Sequence, residues 1–246
     1  MSIFTLADLH LSTDSRTNKS MEVFGARWQD YISKIEKNWN AVVGDDDTVI
    51  VPGDISWATR LEDAESDLLF LDSLKGKKLI GKGNHDFWWT TATKMYAFFE
   101  EKGISSISLL YNNAYIVEDR IICGTRGWFP DESRQVTVGE VDHAKIVNRE
   151  VTRLKLSLDA AKKLQEENLI GEDGEKLPIT VFLHFPPIWG DFIMREFIDV
   201  FHDFGIKECY FGHIHSAYSQ VGKFEFEGIK FTLISSDYLN FHPIIL

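Results

Sequence analysis

Short apolar runs alternate with longer amphipathic segments along this chain, and this alternation is the feature that most constrains its fold. Gly, Pro or polar residues bound each run, which is typical of strands buried on both faces. Such strands are predicted at residues 3–7, 48–52, 78–80, 179–184 and 207–211. Apolar residues that recur at steps of three and four predict helices at residues 22–43, 61–74, 87–102 and 192–204. The alternation indicates an α/β domain.

Three further segments refine this prediction. Residues 109–125 and 220–235 each resemble two strands around a short turn, so we expect part of the sheet to be mixed or antiparallel. Residues 141–168 carry an apolar seam that predicts one long helix. Because no repeat or Pro/Ser-rich linker divides the chain, we expect a single domain over residues 1–246 with a helical insertion around residues 130–176. The insertion packs on the core, shapes the entrance to a site or forms a dimer contact.

The charge of the chain excludes several classes of protein. Its 246 residues contain 26 Lys and Arg against 38 Asp and Glu, a formal net charge of −12. A general binder of nucleic acid or of anionic membranes would be basic. An acidic chain can still bind an anionic substrate where bound metal supplies the positive charge, and eight histidines are present as possible ligands.

The apolar segments, the first residues and the two cysteines indicate the cellular location that we expect for the protein. No segment approaches the roughly 20 apolar residues of a membrane span, and the first residues lack the pattern of a signal peptide. Cys123 and Cys209 lie in apolar runs far apart, which is typical of free core thiols in a reducing compartment. We therefore expect a soluble, cytoplasmic protein.

Polar residues able to bind a metal follow the predicted strands. They are Asp8 and His10, Asp54 after Gly53, the run Gly83-Asn84-His85-Asp86, His184, and His213 and His215 after Gly212. Ligands of α/β sheets bind at the carboxyl ends of the strands, so these side chains are expected to converge. Each motif alone has an ordinary explanation, such as a loop hydrogen bond or a helix cap. Five of them in this order, each after a strand, favour a site that binds zinc, iron or manganese.

The set D-x-H, G-D, G-N-H-D, H and G-H-x-H resembles the calcineurin-like metallophosphoesterase superfamily. Its motifs run from residue 8 to residue 215 and so span nearly the whole chain. The resemblance implies a four-layer αββα sandwich, in which two mixed β-sheets are flanked by helices, with two metal ions at one end.

The same resemblance assigns roles to individual residues. It implies one metal held by Asp8, His10 and His215, and another held by Asn84, His184 and His213, with Asp54 bridging the two. It makes His85 the catalytic imidazole and Asp86 its orienting partner, and it places Asn84 beside the substrate as well. An ion pair with a surface Lys is the alternative for Asp86. We expect two divalent ions, with manganese favoured and iron or zinc as alternatives.

This ligand set predicts hydrolysis of a phosphate monoester or diester. Two ions a few ångströms apart share a bridging carboxylate and a hydroxide that attacks phosphorus at neutral pH. We expect a small-molecule phosphate ester or a nucleotide as substrate. A catalytically silent binding module of the same fold is one alternative, and a nuclease is another. No motif ligand is missing, which favours an enzyme, and no basic groove or additional DNA-binding domain supports a nuclease. The sequence does not determine the substrate or the oligomeric state.

Several residues outside the motifs have two interpretations each. Arg126, between Thr125 and Gly127 after a strand, either clamps a substrate phosphate or forms a salt bridge with one of the many carboxylates. Trp57 stands three positions after Asp54, where many members of the family have an acidic residue. Tryptophans close to the motifs either stack on substrate or fill the core; they are Trp57, Trp88, Trp89, Trp128 and Trp189. Asp237 and Asn240, after the last predicted strand, could reach the site, although nothing in the sequence requires it. Residues 12–20 form a loop that could overhang the site.

Overall fold

The computed structural model describes residues 1–14, 19–129, 140–170 and 175–246. Its strands are β1 (Ile3–Thr5), β2 (Thr48–Val51), β3 (Lys77–Ile80), β4 (Ile107–Leu109), β5 (Ala114–Val117), β6 (Arg120–Thr125), β7 (Leu169–Ile170), β8 (Glu175–Lys176), β9 (Ile179–Leu183), β10 (Ile188–Trp189), β11 (Phe192–Ile193), β12 (Glu208–Phe211), β13 (Lys223–Phe226), β14 (Ile229–Leu233) and β15 (Ile244–Ile245). Its α-helices are α1 (Tyr31–Val42), α2 (Glu65–Ser73), α3 (Ala92–Lys102), α4 (Glu140–Glu167) and α5 (Arg195–Phe204).

Two mixed sheets form the centre of the fold. The first has the order β15-β1-β2-β3-β4, in which β1 to β4 run parallel and β15 pairs antiparallel with β1. The second has the order β13-β14-β12-β9-β6-β5, with a parallel centre and an antiparallel pair at each edge. The edge pairs β5–β6 and β13–β14 confirm the two predicted hairpins. The remaining strands form two short ladders, β7–β8 and β10–β11.

Three apolar layers hold four layers of secondary structure together. Alternate residues of a strand point to opposite faces, so Val49 and Val51 of β2 pack against α1, α2 and α3, while Ile50 faces the second sheet. In β9, Val181 packs with α4 and α5, and Phe182 lies between the sheets. Strands buried on both faces explain the continuous apolar runs. The predicted αββα sandwich is confirmed.

The helix predicted at residues 22–43 is shorter than its pattern suggests. Two 3-10 turns, Met21–Phe24 and Ala26–Trp28, precede α1. Gly25 between them has φ 120° and Asp30 has φ 52°, and neither value is compatible with a continuous right-handed helix. Phe24 is 68% exposed, so the apolar period does not mark a buried face at the start of the predicted helix. Helices α2, α3 and α5 also begin a few residues later than predicted.

The long helix α4 packs on the outer face of the second sheet. Its apolar seam contributes Val147, Leu154, Leu158 and Ala161 to the core that includes β6 and β9. The Ser157 hydroxyl accepts a hydrogen bond from the Gly124 N–H at 2.8 Å and donates one to the Asn113 carbonyl at 2.6 Å. Core packing therefore accounts for this seam. Residues 130–139 and 171–174 of the predicted insertion, like residues 15–18 of the predicted overhanging loop, lie outside the described residues.

Two smaller expectations concern the surroundings of the protein. Cys123 and Cys209 are both buried and free, as predicted. In the described part of the chain, every helix is too short or too polar to cross a lipid bilayer.

Candidate metal centre

All five motifs lie at the carboxyl ends of parallel strands. Those strands are β1, β2 and β3 of the first sheet and β9 and β12 of the second, so the two sheets meet at one edge of the sandwich. Four of the motif residues have left-handed backbone conformations, which are uncommon outside glycine and cluster at functional sites; they are Asp8, His10, Asp54 and His213, with φ between 47° and 69°.

Close approach of two loops requires glycine here. A Cβ at Gly53 would lie 2.6 Å from the Gly83 amide nitrogen, and Gly53 also has φ 111°. A Cβ at Gly83 would collide with Asp54. The loops after β2 and β3 therefore reach the same point because neither carries a side chain at the crossing.

Two groups of potential ligands lie side by side in this edge. The first contains Asp8, His10 and His215, and the second contains Asp54, His184 and His213; within each group the ligand atoms lie within 4.8 Å of one another. These are the ligands implied by the resemblance, with Asp54 appearing in the second group. Asn84 joins that group, since its Oδ1 lies 2.6 Å from Nε2 of His184.

Asp54 lies between the two groups. Its Oδ2 is 3.6 Å from Nε2 of His10 and 3.6 Å from Nε2 of His184. The other oxygen, Oδ1, accepts a hydrogen bond from the backbone N–H of His85 at 2.8 Å. A second contact joins the two ligand groups, because His184 Nδ1 lies 3.5 Å from Asp8 Oδ1. One carboxylate oxygen of Asp54 thus faces an imidazole of each group.

The electrostatics of the cluster call for a cation. Burial raises the pKa of Asp8 to about 6 and holds the pKa of Asp54 well above its usual value. Burial and neighbouring imidazoles hold the pKa values of His10 and His184 well below 6.5. For His215 the effect of burial is outweighed by Asp237 and Asp8, which raise its pKa. The uncharged imidazoles of His10 and His184 do not neutralise the Asp54 carboxylate between them.

The hydrogen bonding of these side chains supports the same conclusion. Three of the buried atoms without a hydrogen-bond partner among the described residues belong to these ligands: Asp8 Oδ1, His10 Nδ1 and His184 Nδ1. Buried polar atoms are normally satisfied, so such a group at one place requires an explanation. Imidazole nitrogen, carboxylate and amide oxygen together suit manganese, iron or zinc. The residues present therefore fit two divalent ions.

Asp237 supports this site from the C-terminal part of the chain. Its Oδ1 lies 2.9 Å from His215 Nδ1, and its Oδ2 accepts a hydrogen bond from the Ser216 N–H at 3.0 Å. A carboxylate that binds one imidazole nitrogen fixes which nitrogen remains for a metal. The sequence suggested only that Asp237 and Asn240 could reach the site. Asn240 accepts a hydrogen bond from Arg27 at 2.6 Å.

Trp28, before α1, and Tyr31, at its start, support the first group and were missed in the sequence. The Tyr31 hydroxyl donates a hydrogen bond to the His10 carbonyl at 2.7 Å. The Trp28 ring makes edge contacts with His10 and His215, at centroid distances of 6.0 and 5.6 Å. Both residues belong to an apolar pattern that looks like ordinary core, so the sequence carries no signal for this role.

Trp57 packs against two imidazoles of the site. Its ring stacks on His10 at a centroid distance of 5.0 Å and lies 4.3 Å from the ring of His85. The position where many family members carry an acid is thus filled by an indole beside the proposed catalytic imidazole. Lys19, in the loop predicted to overhang the site, lies 5.6 Å above the Trp57 ring.

Asp86 holds two loops together. Its buried carboxylate accepts hydrogen bonds from the backbone N–H groups of Ile55, Ser56 and Gly83 and from the indole of Trp88, at 2.7–3.2 Å. The side chain is inside the protein, and its charge also acts on half-buried Lys82, so the pairing with a Lys stays an alternative. Orientation of His85 by this carboxylate stays a prediction.

The other tryptophans near the motifs are mainly structural. Trp88 and Trp89 are buried in the first core, which confirms the core interpretation for them. Trp128 and Trp189 are half-buried against the second core. Stacking of any of these rings on a substrate stays a prediction.

Arg126 forms the salt bridge that the sequence left as an alternative. Its Nη2 lies 3.4 Å from Oε1 of Glu150 in α4. Its carbonyl accepts hydrogen bonds from the N–H groups of His184 and Phe185, at 3.1 and 2.9 Å, so the residue is adjacent to the second group. A role in clamping phosphate stays a prediction.

Comparison with known structures identifies the same fold at low sequence identity. Phosphopantetheinyl hydrolase (PptH) from Mycobacterium tuberculosis has a TM-score of 0.53 at 15% identity, over 95% of this chain and 88% of that one. The protein TT1561 from Thermus thermophilus has a TM-score of 0.56 at 10% identity, over 96% of this chain and 89% of that one. No curated protein matches the sequence.

Comparison with family profiles is more specific. The profile described as calcineurin-like phosphoesterase matches residues 1–217, a range that contains all seven residues assigned to the metals. Together with the two sheets and the converging ligand groups, this match shows that the chain belongs to the calcineurin-like phosphoesterase family.

Proposed function

We propose that this protein is a dinuclear metal-dependent phosphoesterase that hydrolyses a small-molecule phosphate ester or a nucleotide. The observation that carries the proposal is the position of Asp54. One of its oxygens lies 3.6 Å from an imidazole of each ligand group, as a carboxylate shared by two ions would require.

Different residues of the site have different roles in the proposed hydrolysis. Bound divalent ions supply Lewis acidity and lower the pKa of water near phosphorus. Asp8, His10 and His215 would hold one ion, and Asn84, His184 and His213 would hold the other. His85 is placed by its backbone hydrogen bond to Asp54, and its imidazole donates a proton to the leaving oxygen.

The geometry also bears on the two alternatives. A catalytically silent binding module would tolerate loss of ligands, whereas here every motif ligand is present and brought to one edge. A nuclease needs a basic surface for the phosphate backbone, and the chain carries a formal charge of −12. Hydrolysis of a small phosphate ester is therefore favoured, with manganese as the proposed metal.

The bridging role is tested by separating metal content from turnover. After loading with manganese, Asp54→Asn is expected to lose bound metal as well as turnover. His85→Ala is expected to keep both ions and lose mainly kcat, by about 100-fold or more. Metal content is measured by mass spectrometry and turnover on a chromogenic phosphate ester. Asp203→Asn and His202→Ala, at exposed positions of α5, are the matched controls. A fully metallated Asp54→Asn protein with normal turnover contradicts the proposal.

The substrate class is tested by a screen of phosphomonoesters, phosphodiesters and nucleotides with the metal-loaded protein. Hydrolysis of at least one class, abolished in Asp54→Asn, is the expected result. If both ions are bound and nothing is hydrolysed, the binding-module alternative replaces the proposed function.

A further inference from the structure

A cluster of basic side chains lies beside the second ligand group in this acidic protein. Three arginines converge on one oxygen of Glu150: Arg126 Nη2 at 3.4 Å, Arg149 Nε at 3.4 Å and Arg153 Nη1 at 2.7 Å, all to Oε1. Glu150 is fully buried, so a partner for its charge is required. One carboxylate nevertheless balances only one of three guanidinium charges. Among the residues that the structure describes, guanidinium groups outnumber carboxylates in this cluster, in a chain of net charge −12.

Lys82 adds a fourth charge from the loop that leads to Asn84. It is half-buried, and burial followed by the charge of Arg126 lowers its pKa, while Asp86 raises it and Arg153 and Glu150 make smaller opposing contributions. Lys82 therefore interacts electrostatically with both arginines. Asp86 and Glu150 are the carboxylates that oppose this charge, and Lys82 adds a cation to the edge of the arginine cluster.

The hydrogen bonding inside the cluster is incomplete. The Nε of Arg126 is buried and has no hydrogen-bond partner among the described residues, and the same is true of Oε2 of Glu150. Glu150 therefore does not use the fork of Arg126 in the bidentate manner that suits a guanidinium. The side chains of Arg126 and Arg153 are 22% and 28% exposed, so they are accessible from solvent.

An aromatic ring joins this cluster to the ligand groups. The Arg126 guanidinium carbon lies 5.8 Å from the centre of the Phe185 ring, and that ring lies 4.6 Å from the ring of His213. The Arg153 guanidinium lies over Tyr111 at 5.7 Å. A molecule with a phosphoryl group at the metals can therefore reach the cluster with its other end.

We infer that Lys82, Arg126 and Arg153 bind a second anionic group of the substrate, a phosphate or a carboxylate, separated by a short linker from the phosphoryl group at the metals. This inference rests on the proposed function and narrows its substrate class to small molecules with an anion at each end. Guanidinium groups pair equally well with carboxylate and phosphate oxygens. The substrate class is therefore defined by two negatively charged groups joined by a short linker, whichever of the two anions the second group is.

The inference is tested by binding of phosphonates, which the enzyme cannot hydrolyse. Three probes differ only at the far end: 6-hydroxyhexylphosphonate, 6-phosphonohexanoate and hexane-1,6-bisphosphonate. With the manganese-loaded full chain, calorimetry is expected to show that the two doubly anionic probes bind at least about tenfold more tightly than the hydroxyl probe, the lower end for charge-assisted hydrogen bonds. The relative affinities of the carboxylate and the bisphosphonate identify the second anion.

Variants assign the effect to the cluster. Arg153→Gln and Lys82→Gln are each expected to reduce the preference for the doubly anionic probes several-fold. Lys163→Gln removes a charge from an exposed position of the same helix and is expected to keep the preference. Arg153 donates a hydrogen bond to buried Glu150, and Lys82 acts on that acid through its charge, so both variants are checked by circular dichroism.

Two results would overturn the inference: equal affinities of the wild type for all three probes, or a preference that survives both Arg153→Gln and Lys82→Gln. Binding of phosphonates does not depend on turnover. A protein that shows the preference but hydrolyses nothing would contradict the proposed function and keep the anion site, whereas hydrolysis without the preference would do the reverse.

Discussion

Replacement of Asp86 separates a structural role from a catalytic one. Its Oδ1 accepts hydrogen bonds from Ile55 N, Ser56 N and Trp88 Nε1, and its Oδ2 accepts one from Gly83 N at 2.7 Å. These bonds tie the loop after β2, which carries Asp54, to the loop after β3, which carries His85. We expect Asp86→Asn to reduce stability while leaving most of the turnover.

The magnitude follows from counting donors. In Asp86→Asn the amide oxygen takes the three donors at the Oδ1 position, and the amide NH2 then faces the N–H of Gly83. One buried donor is left unsatisfied, which costs about 1–3 kcal/mol, and the other three bonds lose the assistance of a charge. Burial raises the pKa of Asp86, which means that burying its charge is unfavourable. The neutral amide avoids this cost, and this offsets part of the lost stability. We expect a net loss of about 2 kcal/mol for Asn and about 4 kcal/mol for Ala, where all four donors lose their partner.

The assay is urea unfolding in EDTA, so that metal binding does not contribute to the measured free energy. Turnover of the metal-loaded variants is measured at low temperature, where they remain folded. Asp86→Asn is expected to keep kcat within about tenfold of the wild type, because three of its four hydrogen bonds to the loops survive. Displacement of the catalytic groups would reduce kcat by more than tenfold. Asp203→Asn is the control for loss of a surface carboxylate.

One outcome would refute this reasoning. If Asp86→Asn unfolds at the wild-type urea concentration but loses kcat by orders of magnitude, the loops do not need the carboxylate. Asp86 would then act on His85 directly, as the family resemblance implies.

Two other residues give independent predictions. Asp237→Asn is expected to weaken metal binding by about 10–100-fold through His215, measured by metal titration, with Asn240→Ala as control; unchanged affinity would show that His215 needs no partner. Lys78 is buried, and its ammonium donates hydrogen bonds to the carbonyls of Asp72 and Leu74 and to the Ser106 hydroxyl. Burial lowers the pKa of Lys78 from 10.5 to about 8, so the folded protein releases this proton before the unfolded chain does. Wild-type stability should therefore rise relative to Lys78→Met by about 2 kcal/mol between about pH 7 and about pH 10. A difference between the two proteins that does not change with pH would contradict the lowered pKa.

The sequence predicts the strands well because their signal is local. Runs such as residues 48–52 and 179–184 are continuous in apolar residues, and both become strands buried on both faces. The start of α1 was predicted poorly for a physical reason. An apolar period continues through Trp28, but Gly25 and Asp30 adopt positive φ angles that break the helix, and a periodicity of side chains does not report backbone angles.

The site shows the same division. The sequence by itself determined the family and the ligand set, because metal ligands such as Asp8 and His215 follow strands in a fixed order that few other folds would need. Only the tertiary structure decided which side chains support them. Asp237 meets His215 across the sheet edge, and Trp57 packs on His85 where an acid is usual in the family.

The basic cluster completes this contrast. The chain is acidic overall, and no local pattern marks Lys82, Arg126 and Arg153 as neighbours. They come together because α4 packs on β6, next to the edge where β3 and β9 end. Contacts between residues far apart in the sequence depend on the packing of whole elements, and this is why local patterns define the ligands while the fold alone defines what surrounds them.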